Sequence, residues 1–590
     1  THFLNIKIFF PFFFKNFQIK YFIKPFHLKM TDISQHNLFI DGKVLVGNSV
    51  TEKFNNACTN TSNILRTSFG PLGLDKMCID PSNNILITND GATILTNTTN
   101  GNDFDIISQF LSNISNQQDK EIGDGTTSVT LLATSLYSKA VNLLSLNVSP
   151  RVIINGYRMA LKESIRFIKQ KLELPLQSSQ LNNLIRTTIS SKLINSAAEY
   201  FIPLIAKASK TLENYEVEEI PILKKEGKGI NDSTLLQGYA INVTPIYNLN
   251  KFSQNSGNKK IILIDFNLKK TKLPLTTHIV IENPDELESI RMKEISQLKN
   301  KVMTLIKTGV DIIFSSKGID DIGITLFREH EVMFVRRVRI EDLKVLSRLT
   351  KSPIYTDIIG IGDSEANQNI SSDDFNNFTI LPTTVNSVKQ ISAGENELMV
   401  VEPINNIMIS YLLRGPNEAV LEEIHRNLLD SLHSVKSLTK RDRIVAGGGA
   451  TELALSLFLQ DFSSAISTKE FLPIHRFAEA LLVIPKTLIS NSGLNSTEIL
   501  SKMVSKMQNS VKNKNESDIQ KGNKQEQSNK YFGFDCLTGK IQNNIENGII
   551  EPSSLKIKVL SIATEAVCNM INVDSIVILN KEKKRERNEC

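Results

Sequence analysis

Residues 121–128 read Glu-Ile-Gly-Asp-Gly-Thr-Thr-Ser and run straight into the apolar stretch Val129–Leu144. A Gly-Asp-Gly turn that opens a helix presents unbonded backbone N–H groups at the positive end of the helix dipole. Phosphate oxygens suit such a place. Asp124 adds a hard oxygen ligand of the kind Mg2+ takes, and Thr126 and Thr127 add hydroxyl donors. Taken alone, the segment reads equally well as a tight turn with an ordinary N-cap, because Asp and Thr favour caps. Further pieces could share its chemistry. Gly70-Pro71-Leu72-Gly73 is a second glycine loop, where backbone can approach a ligand closely. Asp90 sits in the turn Asn89-Asp90-Gly91, Asp430 ends the amphipathic stretch 420–430, and Gly447-Gly448-Gly449 opens another helix. Each of these also has a plain reading: a turn, an Asx turn, a solvated helix face, a loop.

Three textures along the chain must position these residues. From about 45 to 175, Ala57–Ser68, Phe104–Asn116, Val129–Leu144 and Val152–Leu172 carry apolar residues at helical spacing. Ile85–Thr88 is a short extended piece that ends in a strong turn signal. From about 245 to 350 the period changes. Lys260–Asp265, His278–Glu282, Asp311–Ser315 and Met333–Val338 are β-rich, with helical runs at 284–307, 319–330 and 340–349. The first of those helices has Asn283 as N-cap, Pro284 at its first position and Glu286 at its third. Such alternation predicts a separate α/β domain. From about 415 the helical texture returns in Val420–Ser437, Ala450–Phe462 and Phe477–Asn491. An α/β domain is thus inserted between two helical halves, with crossings at 176–244 and 399–436. Halves far apart in sequence can pack as one domain and bring residues near 90, 124, 430 and 448 into one site.

A chain of 590 residues is too long for one hydrophobic core. Its 41% hydrophobic and 22% charged content is that of an ordinary folded domain set. The net charge of +6 is spread along the chain, so it gives no footprint for nucleic acid. The five cysteines are scattered without a C-x-x-C pair, which excludes a zinc cluster and a disulfide framework and fits a reducing cytoplasm. No run approaches transmembrane length, so no membrane partner is expected. Residues 1–29 are rich in Phe and Lys and have no acidic residue. They are expected to be a translated upstream region or a disordered leader, with Met30 as the start. Residues 507–530 are polar and are expected to be an exposed disordered insertion.

Together and in this order, the motifs resemble the group II chaperonins, the eukaryotic cytosolic (T-complex) and archaeal family. The matching segments are Leu65–Lys76 (LRTSFGPLGLDK), Ile87–Leu95 (ITNDGATIL), Gln118–Val129 (QDKEIGDGTTSV), Arg414–Asn417 and Val445–Glu452 (VAGGGATE). The resemblance runs from about residue 38 to 580. Ile264–Leu273, Gly318–Asp321, Val335–Val338 and Phe477–Thr487 look most like the family's alpha branch.

The resemblance implies a multidomain α+β subunit. A mostly helical equatorial ATPase domain would come from 30–175 and 437–590, an intermediate hinge domain from 176–244 and 399–436, and an apical α/β domain with a helical protrusion from 245–398. It implies a hetero-oligomeric double ring of paralogous subunits, eight per ring, that uses Mg2+ and ATP to enclose unfolded clients such as actin and tubulin. Carried over by motif, Gly70, Pro71 and Gly73 would cradle phosphate. Asp124 would hold Mg2+, and Gly123, Gly125, Thr126, Thr127 and Ser128 would bind phosphates. Asp90 and Asp430 would position or deprotonate the attacking water. Lys192 matches a loop that senses the γ-phosphate, Gly448 and Gly449 would lie against the nucleoside, and Glu551 matches an acidic ribose or adenine contact. Ile319–His330 corresponds to the helix lining the client groove, although Ile322, Ile324, Leu326 and Phe327 fit their own domain's core as well. Gly101-Asn102-Asp103 departs from the family pattern. The rival reading is a structural ring subunit with weak or no ATP hydrolysis.

Overall fold

The computed structural model describes residues 42–79, 85–99, 106–243, 245–246, 257–269, 284–356, 380–393, 396–404, 407–440, 442–512 and 529–579. Residues 1–29, His278–Glu282, Asn283, Gly101–Asp103 and positions 513–528, all singled out in the sequence, lie outside them. The described residues fall into two units. In the smaller, Gly42–Val46 pairs antiparallel with Ser575–Leu579. The larger runs from Asn48 to Asp574, and its described residues include three large packed regions, taken in turn as the first, second and third core.

Ile261 and Leu263 pack into one face of the first core, and Ile262 and Ile264, on the same strand, pack into the other. Four successive apolar positions in one strand suit a parallel sheet covered on both sides. Lys259–Ile264 lies between Ile312–Ser315 and Ile354–Tyr355, Met333–Val335 extends the sheet, and all these pairings are parallel. Helices Pro284–Lys307 and Asp321–Glu329 cover one face through Leu298, Val302, Leu305 and Phe327. Ile322, Ile324 and Leu326 pack half-buried on that same face. Helix Ile340–Thr350 covers the other through Leu343, Leu346 and Leu349. An antiparallel sheet of Ser387–Ala393, Asn396–Glu402 and Tyr239–Ile241 shares that second face. The packing of the inserted region therefore reaches a few residues past 245 and 398.

The two crossings meet in the second core. Ile409–Gly415 pairs parallel with Ile222–Glu226 and antiparallel with Thr234–Gln237. Helix Ala198–Leu212 packs there through Phe201, Ile205 and Ala208. Helix Glu418–Lys440 packs there through Leu421, Ile424, Leu428, Leu432 and Val435, which recur at helical spacing. That spacing leaves Asn427, Asp430 and His433 on a different stripe of the same helix.

The third core joins the two ends of the chain. Helix Thr126–Ser145 packs against Asn48–Arg66, Phe471–Leu481 and Ser553–Asn572. Phe477 is fully buried and meets Tyr157 edge-on at 5.5 Å, and the Tyr157 hydroxyl donates to the Leu136 carbonyl at 3.0 Å. Lys139 pairs with Glu479 across the same contact. Helix Ser496–Lys512 runs into the stretch expected to be an insertion, so residues 507–512 are helical. Truncating Phe477→Ala should cost about 3–5 kcal/mol, the range for deleting a buried aromatic ring. Denaturant unfolding of the full chain measures it, and an unchanged midpoint would contradict this account of the core.

Candidate functional site

Loops from both halves of the chain enclose one cavity of about 330 Å3. Gly70, Pro71, Asp90, Asp124, Gly125, Thr126, Thr127, Ser128, Lys192, Asp430, Gly448, Gly449 and Glu551 all line it. Gly73 and Gly123 do not. A Cβ on Gly73 would stand 2.5 Å from the Ser68 carbonyl oxygen, so this glycine closes its own turn. A Cβ on Gly123, whose φ is +75°, would stand 2.5 Å from the His433 ring, so this glycine admits the helix that carries Asp430.

Each wall has a local cause. Gly125 adopts φ 78°, a left-handed conformation that glycine takes without strain, and no side chain caps the helix it opens. Gly449 does the same for helix Ala450–Ser464. The helix Gly91–Thr99 is capped instead by Asp90, whose Oδ2 accepts from the Thr93 backbone N–H at 2.8 Å and hydroxyl at 2.6 Å. Its Oδ1 accepts from the Thr126 hydroxyl at 2.9 Å, which ties the two helix starts together. Asn89 Nδ2 donates to the Ser191 carbonyl at 2.5 Å, which fixes the loop before Lys192. Arg443–Ala446 pairs antiparallel with Ile550–Pro552, placing Glu551 opposite Val445, next to the glycine turn.

Known proteins resemble this chain over most of its length. Residues 61–581 match the TCP-1/cpn60 chaperonin family. The chain belongs to this family. T-complex protein 1 subunit alpha of Encephalitozoon cuniculi is 37% identical over 565 residues, covering 94% of this chain and 99% of that relative. The same-named protein of Dictyostelium discoideum is 36% identical over 568 residues, with 94% and 98% covered. A thermosome subunit of Pyrococcus horikoshii is 30% identical over 537 residues, with 89% and 90% covered. The resemblance to the alpha branch thus extends over nearly the whole chain.

In this chaperonin subunit the acidic wall carries a close counter-charge. Lys192 donates to Asp430 Oδ2, and the two side chains are only 9% and 16% exposed. Burial holds the Asp430 carboxyl well above the usual carboxylate range; Lys192 pulls it down, while Asp90 and Asp124 push it up. Burial disfavours the Lys192 ammonium, yet Asp430, Asp124 and Asp90 together raise it above its ordinary value. Asp124 Oδ1 accepts from the Gly125 N–H at 2.7 Å, and no donor among the described residues reaches its Oδ2. Among the described residues no three His, Cys, Asp or Glu side chains form a metal-binding group. Asp124 therefore fits Mg2+ where phosphate and water oxygens complete the shell, the usual habit of that ion.

Several residues in and behind the cavity wall escaped the sequence reading. Ile484, Leu488 and Phe534 give the cavity an apolar wall. Asn544, fully buried, donates to the Gly447 carbonyl at 2.8 Å and holds the glycine turn. Lys556 bridges Glu452 at 2.8 Å and Glu551 at 2.7 Å. Burial would lower the Lys556 ammonium, but its two carboxylates raise it; burial also raises the Glu551 carboxyl against the pull of Lys556. A signal for Lys556 was available, since a lysine in the opening turn of a helix opposes the dipole and asks for counter-charge.

Lys192→Met should destabilise the chain by about 3–5 kcal/mol at neutral pH, the cost of stranding one partner of a buried pair. The sign of its pH dependence follows from Asp430. A carboxyl whose folded pKa is raised loses stability as pH rises through that value, and removing Lys192 raises it further. The gap from wild type should widen from pH 5 to pH 8. Melting curves across that window test it, and a gap that narrows with pH would refute the assignment.

Proposed function

We propose that this chain is an ATP-hydrolysing subunit of a cytoplasmic chaperonin. The observation that supports this reading best is the convergence of Asp90, Asp124, Lys192, Asp430 and Glu551 on a single cavity with two uncapped helix starts. Thr126, Thr127 and Ser128 bind phosphate with backbone donors, and Thr127 and Ser128 add their hydroxyls. Bound at Asp124, Mg2+ neutralises charge on the phosphate oxygens. Hydrolysis of a terminal phosphate needs a water held in line and charge stabilised, and little covalent work by the protein.

Asp430 suits the role of base. Burial raises its affinity for a proton above that of an ordinary aspartate. Both oxygens of Asp90 already accept hydrogen bonds, so Asp90 orients more than it deprotonates. Asp430 stands on a helix of the second core, so movement of that core against the third would assemble or open the site. In this reading the three cores are the apical, intermediate and equatorial domains of a subunit in a double ring of eight paralogues per ring. Closure encloses an unfolded client of the actin or tubulin kind. The pairing of Lys192 with Asp430 also favours a second reading. If that pair persists with nucleotide bound, the subunit binds without cutting and serves its ring as structure. No described helix is long and apolar enough to cross a membrane.

Rings reconstituted with Asp430→Ala in this subunit alone separate the two readings. Nucleotide binding should persist while this subunit's turnover falls at least about 100-fold, the lower end of the contribution of a positioned general base. Unchanged turnover and cycling of the ring would favour the structural role. Particle images of the native complex should show an eight-fold double ring, and a free monomer would remove both readings.

A further inference from the structure

No motif gives Asn427 a role, yet it stands in the wall of the cavity. It comes three residues before Asp430 on helix Glu418–Lys440, so the two share a side of that helix. Asn427 is 2% exposed, and its Nδ2 is buried without a hydrogen-bond partner. Its Oδ1 has none among the described residues either. The backbone is accounted for, since the Asn427 carbonyl accepts from the Ser431 hydroxyl at 2.8 Å. Buried amides are nearly always paired. Here the unpaired buried atom is a nitrogen, which donates, so it asks the ligand for an acceptor.

The course of the helix separates the possible acceptors. Leu438 packs with Ile444 and Ile550, beside the strand pair that holds Glu551. Asp430 lies about 12 Å back along the axis, at about 1.5 Å per residue, where it meets Lys192. Asn427 lies about 4.5 Å further in the same direction, away from Glu551 and the glycine turn. On the nucleotide reading above, Glu551 marks the nucleoside end and Asp430 the end where hydrolysis occurs. The acceptor beyond Asp430 is then an oxygen of the terminal phosphate, and the base and sugar lie at the other end. An amide supplies that donor without adding charge to a wall where Lys192 already answers three carboxylates.

We propose that Asn427 binds the terminal phosphate: its Nδ2 donates to a phosphate oxygen and favours nucleoside triphosphate over diphosphate. The proposal rests on the nucleotide reading and adds a phosphate-counting contact to it. Asn427 and Asp430 travel on one helix, so a third phosphate held at Asn427 also seats the base.

Calorimetric titration of the full chain with Mg-ADP and with the non-hydrolysable triphosphate Mg-AMP-PNP tests this. Asn427→Leu keeps the branched shape and removes the donor. It should weaken Mg-AMP-PNP at least about tenfold, as expected from losing one hydrogen bond to a charged group, and leave Mg-ADP within about twofold. Its melting point without nucleotide should not fall, because the substitution takes away a buried donor that has no partner. A merely structural amide would lower that melting point and weaken both nucleotides alike, which overturns the proposal. Unchanged Mg-AMP-PNP affinity overturns it too; a fall in turnover alongside would give the amide to the attacking water instead. Either result leaves nucleotide binding standing. If the leucine variant does not fold, Asn427→Ala removes the same donor without bulk and must show the same selective loss. A wild type that binds neither nucleotide overturns the nucleotide reading and this proposal with it.

Discussion

Lys192 carries its ammonium into a space bounded by Asp90, Asp124 and Asp430, and the other features of the cavity are arranged around that charge. Three carboxylates cannot share a poorly solvated wall without compensation, because each raises the cost of ionising the next. Lys192 reaches Asp430 directly and feels the other two. Its loop is fixed through Ser191 to Asn89, the residue before the aspartate that caps the neighbouring helix. Charge balance and loop geometry are therefore one constraint. A shift in any of these turns would leave a buried carboxylate without its partner.

The remaining architecture delivers elements to that point. The parallel sheet is apolar on both faces and needs no contact with the cavity to be stable. The second core draws on both crossings, and its long helix presents one stripe to that core and another, with Asp430, to the cavity. Lys556 is a second buried cation that holds carboxylates, here two of them.

Much of this could be read from residue order. The Gly123-Asp124-Gly125 turn opens a helix as its composition requires, and Asp90 takes the capping role that an Asp before Gly and Thr suggests. The alternation from 259 to 350 yields the α/β sheet because strand and helix periods are local properties. What stayed hidden depends on distant partners. Ile409–Gly415 pairs with strands almost two hundred positions earlier, and nothing within seven residues announces that. Gly73 and Gly123 sit inside the glycine-loop motifs yet serve a turn and a helix approach, which only the neighbouring atoms reveal. Glu452 looks like an ordinary polar residue of a helix until its element meets the one that carries Lys556.

The wall of the cavity runs from Ser68 to Lys556, and that span has a consequence for synthesis. A growing chain exposes the Gly-Asp-Gly loop and the apolar side of helix Thr126–Ser145 long before Asp430, Glu551 and helix Ser553–Asn572 emerge. Domains commonly fold from the N-terminus as they appear, but this one cannot close until nearly all of the chain is made. Contacts of such sequence separation are slow to form and leave sticky surface uncovered meanwhile. The inserted α/β region, whose sheet draws on nearer neighbours, can fold during the wait. The cavity is the last part of the subunit to exist, and its unfinished first half is itself an unfolded protein in want of cover.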